Sequence, residues 1–142
     1  MFREIKRKKQ KLDNAEEILK CGEYGVFATG GEDGYPYAVP LSYVYDGAIY
    51  FHCASEGHKI DNIKYSDKVS FCVVGRAKTL PEELNVDYQS VIVFGRAKVI
   101  EGEEKRSALR KLMEKYAPES NCQTDATVVK IEIEHISAKG RI

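Results

Sequence analysis

Residues 25 to 54 constrain the fold more than any other part of the chain. "GVFATG" (25–30), "YPYAVPLSYVY" (35–45) and "AIYFHCA" (48–54) are extended runs rich in aromatic and β-branched residues, separated only by "GEDG" and "DG". Links that tight make hairpins, so the three runs predict antiparallel strands. The middle run also carries Pro36 and Pro40. Each proline deletes an N–H from any ladder, which places it at an edge, a bulge or a strand start. Part of this strand's backbone is therefore left unpaired, where a ligand is able to meet it.

The remaining elements follow from periodicity and punctuation. A helix is predicted over about 14–21, with Asp13 as N-cap, Glu16 three residues on and Ile18 and Leu19 as its apolar face. A short helix over 57–65 has Ile60 and Ile63 on one side, and "KVSFCVV" (68–74) is a strand. The segment 75–87, bearing Pro81, reads as a loop or irregular excursion. "YQSVIVFGRAKVI" (88–100) is a long strand whose Gly95 suggests a bulge or bend. The helix over 102–116 carries the stripe Ala108, Leu109, Leu112, Met113 and Tyr116, read as core packing, and Pro118 ends it. A last strand, 126–136, alternates through Val129, Ile131 and Ile133. About six antiparallel strands with three helices predict a small closed barrel. A barrel of that size is filled by its own side chains, so a ligand must bind outside it.

Composition narrows the function. At 142 residues the chain suits a single domain over 1–142. Its 22 basic and 22 acidic residues cancel, which argues against nucleic acid as a partner. The one asymmetry is a basic arm over 1–11, where Phe2 and Ile5 are spaced to dock on the core or on a second chain. No apolar stretch reaches 18 residues and the N-terminus lacks a secretion-type apolar region, so neither a membrane span nor export is expected. Cys21, Cys53, Cys72 and Cys122 are scattered without a C-x-x-C, which fits reduced thiols in the cytoplasm and no zinc ribbon. His52 and Cys53, adjacent on a strand, point to opposite faces and make a poor metal pair.

Three features suggest a binding site. "EGHKID" puts His58 and Lys59 at a helix start, where free N–H groups and the helix dipole already favour an anion such as a phosphate. The proline-marked strand offers backbone, and Gln89 and Ser90 supply polar groups at the head of an apolar strand. A phosphate, a polar tail and a flat ring would fit the three.

On the residues "GVFATGGEDGYPYAVPLSYVYDGAIYFHCASEGHKIDNI" and "DYQSVIVFGRAKVIEGEEKRSALRKLMEKYAP", the chain resembles the flavin-binding split-barrel proteins related to pyridoxamine 5′-phosphate oxidase, in the nitroimidazole-resistance branch. The resemblance implies a mainly β fold: a six-stranded antiparallel split β-barrel of Greek-key type with a few peripheral helices. It implies a homodimer with flavin at the interface. FMN is the expected cofactor, with FAD and, less so, haem as alternatives. Cofactor contacts are implied for Val39, Pro40, Leu41, Ser42 and Tyr43 at the ring, His52 and Cys53 on the return strand, His58 and Lys59 at the phosphate, and Gln89 and Ser90 across the interface. The implied activity is reduction of a small electron-poor acceptor, a nitro compound or quinone, with NAD(P)H; the alternative is a flavin or haem carrier without turnover. Two departures matter. Where the pyridoxamine-phosphate oxidases carry arginine this chain has His58, so a permanent charge becomes pH-sensitive. The ending "HISAKGRI" offers only Lys139 and Arg141 to a substrate phosphate, which disfavours pyridoxine-type oxidation.

Overall fold

The computed structural model describes residues 2–6, 10–83, 85–120 and 124–141. Its core is one antiparallel sheet of β1 (Lys11–Leu12), β2 (Gly25–Gly30), β3 (Pro36–Leu41), β4 (Val44–Tyr45), β5 (Ile49–Cys53), β6 (Lys68–Leu80), β7 (Asn85–Ile100) and β8 (Thr127–Arg141). The strands run β3-β2-β6-β7-β8-β5-β4 across the sheet, with β1 added to β8. The expected strands are present with one difference: the run 35–45 is broken at Ser42 and Tyr43 into β3, which pairs with β2, and β4, which pairs with β5, and β1 is a two-residue addition. Strands β5 to β8 form a Greek key, because β5 lies beside β8 and not beside β6.

The strand order forces the sheet to curl. Laid flat, six steps of about 4.8 Å would hold β3 and β4 roughly 29 Å apart. Only Ser42 and Tyr43 join them, and three Cα–Cα steps reach about 11 Å at most. The two ends must therefore approach each other, giving a split barrel. Its interior is filled by Phe27, Phe51 and Phe71 with Ile49, Val73, Val91, Val93, Val129 and Ile131, each fully buried.

Three helices sit outside the sheet: α1 (Ala15–Cys21), α2 (His58–Tyr65) and α3 (Gly102–Tyr116). Asn14, not Asp13, occupies the cap position of α1, and no side chain caps it. α3 buries Ala108 and Leu109 against Ile100 and Val128 in a second, smaller core. None of the described helices is long and apolar enough to cross a membrane.

Residues 75–87 depart from the expected loop. β6 and β7 stay paired from Lys68↔Arg96 out to Leu80↔Asn85, so the segment is most of a long hairpin arm turning at Pro81–Glu83. The glycine and proline that suggested a loop have local roles within the arm. Gly75 is the extra residue of a bulge between Val74 and Arg76, and Pro81 stands in the turn, outside the ladder. The last strand likewise runs on to Arg141, pairing with β7 and, at Lys139, with Lys11 of β1.

A register shift does occur at Gly95, where Phe94 pairs with His135 and Gly95 with Ile133, leaving Glu134 as the extra residue on β8. A Cβ at Gly95 would overlap the Glu132 carbonyl oxygen and stand 3.0 Å from Ile131 Cγ2. Phe2 docks on the outer face nearby, stacked 5.2 Å from Phe94 and 4.6 Å from His135 between ring centroids. Gly95→Ala should cost about 1–3 kcal/mol through this backbone overlap, read as a lower urea midpoint with unchanged m-value.

Candidate functional site

β3 ends the sheet, and β2 is its only partner among the described residues. Alternate residues of an antiparallel strand turn both N–H and C=O to the same side. The prolines stand where no N–H is required, so Pro36, Ala38 and Pro40 turn their backbone to the open edge. That edge is rich in carbonyls, with Ala38 supplying an N–H. Val39 and Leu41 are half-buried against the core, whereas Pro40 and Ser42 are exposed.

A surface cavity of about 580 Å³ begins where this strand ends. It is lined by Leu41, by His52 and Cys53 of β5, by Ser55 and Lys59 at the approach to α2, and by Asp125 to Thr127 where β8 starts. His52 is exposed and Cys53 half-buried against the core, so alternation does send them apart. Burial pushes the Cys53 thiol up, an effect that outweighs the nearby Lys59 charge. Gly57 caps α2 at φ 144°, a left-handed backbone that suits glycine, and no side chain occupies the cap. The first-turn N–H groups are therefore free of side-chain acceptors, with Lys59 beside them on the cavity wall. Asp125 on the opposite rim is paired with Lys105 at 3.1 Å.

The two side chains at the helix start have different surroundings. The exposed His58 ring stacks on Tyr37 at 4.0 Å between centroids and is not part of the cavity lining. Lys59 alone of the pair faces the cavity.

Tyr43 is placed differently from a ring-contacting residue. Its side chain is fully buried and its hydroxyl donates to the Leu19 carbonyl; burial raises its phenol well above the usual range. Its N–H donates to Tyr116 Oη at 3.1 Å, and its carbonyl lies 2.8 Å from Tyr116 Oη and accepts from Lys115 Nζ at 2.9 Å. Tyr45 and Tyr50 are likewise engaged, with Glu16 and Glu104, both at 2.9 Å. Within the segment 39–43, Tyr43 is therefore closed to a ligand at both side chain and backbone.

Gln89 and Ser90 do not reach this cavity within one chain. They pair with Gly140 and Lys139, whereas the cavity end of the sheet is marked by Ile100 opposite Val128 and Val128 opposite His52. Ten residues of strand separate Ser90 from Ile100, on the order of 33 Å. The site assembled by one chain thus contains Leu41, His52, Cys53 and Lys59. Sequence reasoning passed over Ser55, Asp125, Ala126 and Thr127, which the fold brings in from two loops that carry no recognisable motif.

One chain thus joins an open strand edge, an uncapped helix start and one lysine around a single cavity outside the split barrel's core. The model of the pyridoxamine 5′-phosphate oxidase family matches residues 11–140, and the chain belongs to that family. Among solved structures it is similar to a candidate 5-nitroimidazole antibiotic resistance protein from Bacteroides thetaiotaomicron, at 24% identity and TM-score 0.76, covering 95% of this chain and 84% of that one. A FAD-binding protein from Mesorhizobium loti is similar at 22% identity and TM-score 0.71, covering 94% and 98%. A flavocytochrome from Azotobacter vinelandii is similar at 20% identity and TM-score 0.81, covering 97% and 72%. Among curated proteins, none matches the sequence.

Tyr116→Phe should remove the hydroxyl that ties α3 to the backbone at Glu23 and Tyr43, at a cost of about 1–3 kcal/mol from the unsatisfied groups. Denaturant unfolding of the single variant measures it.

Proposed function

We propose that the chain is an FMN-dependent oxidoreductase of the nitroimidazole-resistance type. It would act in the cytoplasm and pass electrons from NAD(P)H to a small electron-poor acceptor such as a nitro compound or quinone. The observation that carries this reading is Lys59 beside the uncapped start of α2, on a cavity that the β3 edge enters at Leu41. The lysine and the first-turn N–H groups would hold the phosphate, and the strand end from Val39 to Ser42, with its open edge at Pro40, would meet the ring. At about 580 Å³ the cavity falls within the range of cofactor sites. Flavin, when bound, supplies the hydride and electron chemistry, so the protein contributes binding and orientation and needs no nucleophile of its own. Two similar structures, a FAD-binding protein and a flavocytochrome, support the same reading.

The second half of the site would come from another copy. Ser90 lies on an outer face where Val74, Ile92 and Phe94 are 53%, 42% and 39% exposed, an apolar surface suited to a partner barrel. A homodimer packed through it would deliver Gln89 and Ser90 to the flavin of its neighbour, which one chain is unable to do for itself.

Purified protein should show an oxidised flavin spectrum that bleaches with NADH or NADPH in the absence of air. A flavin band resistant to both nucleotides would leave a carrier, and a Soret band would put haem in its place. Lys59→Ala should weaken FMN binding at least tenfold in fluorescence titration with the fold intact, and His58→Ala should weaken it less, because His58 leans on Tyr37. Equal losses for the two variants would overturn the assignment of the phosphate to Lys59.

A further inference from the structure

The start of α2 is held at two points by one pair of opposed strand residues. Thr29 of β2 and Tyr37 of β3 face each other across the ladder. Thr29 Oγ1 accepts from Asn62 Nδ2 at 2.9 Å, and the Tyr37 ring stacks on His58 at 4.0 Å between centroids, with 21° between the planes. His58 and Asn62 stand four residues, about one turn, apart on the helix. We propose that Thr29 and Tyr37, acting through Asn62 and His58, are positioning residues of the phosphate site. They fix where Lys59 and the first-turn N–H groups stand relative to β3. The inference rests on the phosphate reading of Lys59.

The spacings on the two sides of this clamp match. Four residues of helix rise about 6 Å, and opposed residues of an antiparallel pair stand about 4.5–5.5 Å apart. The helix therefore crosses the two strands with His58 at β3 and Asn62 at β2. Its first turn is thereby set on the same strand whose far end would meet the ring, and Lys59, next to His58, turns to the cavity. The contact is also directional where the rest of the helix packing is not. Ile60 and Ile63 already bury α2 in the core, and apolar burial alone fixes no orientation. Apart from Tyr43, Thr29 and Asn62 are the only buried residues with a polar side chain among those described, each 4% exposed. A hydrogen bond made there holds one arrangement of helix on strand. The backbone closes a third side: a Cβ at Gly31 would overlap Asn62 Oδ1, so the chain leaving β2 packs directly on the amide.

Comparing FMN with riboflavin isolates what the phosphate contributes. The full-length protein and its variants are titrated with each flavin by fluorescence, and circular dichroism checks the fold of every variant. The unaltered protein should bind FMN at least tenfold more tightly than riboflavin. Thr29→Val keeps the shape of the side chain but removes the acceptor. It should reduce that preference at least threefold and change riboflavin binding less than twofold, whereas Thr29→Ser, which keeps the hydroxyl, should retain the preference. Tyr37→Leu removes the ring stack without touching the buried hydrogen bond and should also reduce the preference; it decides the matter if Thr29→Val does not fold. An unchanged preference in the folded variants, or equal losses for both flavins, would overturn the clamp and leave Lys59 as the phosphate ligand. Equal binding of the two flavins by the unaltered protein would instead remove the phosphate reading, and the clamp's role with it.

Discussion

The corner at Ser42 and Tyr43 is the constraint on which the rest of the molecule depends. Two residues join opposite ends of a seven-strand path, so the sheet is held curled by its own connectivity. Tyr43 fills the inside of the corner, its ring packed edge-on to Phe71 at 5.0 Å, and Lys115 lies 4.0 Å from the ring centroid on another side. Tyr116 satisfies the backbone that the corner leaves without a sheet partner. A turn this sharp would otherwise expose or bury unpaired amide groups, each worth roughly 1–3 kcal/mol. The helix α3 is therefore part of the barrel's closure, although it lies outside the sheet.

The same corner places the site. The edge of β3 runs into it from one side and β5 returns beside it, so Leu41, Ser42 and His52 are brought together without any sequence motif to announce the meeting. Lys59 arrives from α2, which is fixed to β2 by Asn62 Nδ2 donating to Thr29 Oγ1 at 2.9 Å, both residues being buried. That buried pair sets the helix start relative to the edge strand. On the proposed reading Lys59 would hold the phosphate and β3 the ring, and this one amide–hydroxyl bond in the core contributes to the distance between them.

Much of this was legible in the sequence. Alternation and tight turns placed β2, β3 and β5; the DG turn is there, with Gly47 at φ 71°; and α3 runs over 102–116 as its apolar stripe requires. The hairpin arm was not legible, because Gly75, Pro81 and Asn85 are loop residues by local chemistry and the pairing that overrides them is long-range. The stripe of α3 was read as uniform core, yet Ala108, Leu109 and Leu112 are buried while Tyr116 is exposed and ties its hydroxyl to the backbone of the corner; periodicity reports which face turns inward but not what it meets. His58 and Lys59 look equivalent in sequence, and only the position of Tyr37 on a neighbouring strand separates them. Cys122 and the arm residues Arg7, Lys8 and Lys9 lie outside the described residues.

The position of β8 has a consequence for how the protein is made. β4 and β5 belong to the first two-fifths of the chain, yet they join the sheet only through β8, the last described element. The strands β3, β6 and β7 each find a partner among earlier residues, and β2 waits only for β3. Residues 44–53 pair with one another, but this hairpin has no place in the larger sheet until Val128 to Ile131 are synthesised. Through most of translation, then, Ile49 and Phe51 have no sheet to bury them, and the chain depends on its closing residues to cover surface laid down near its start.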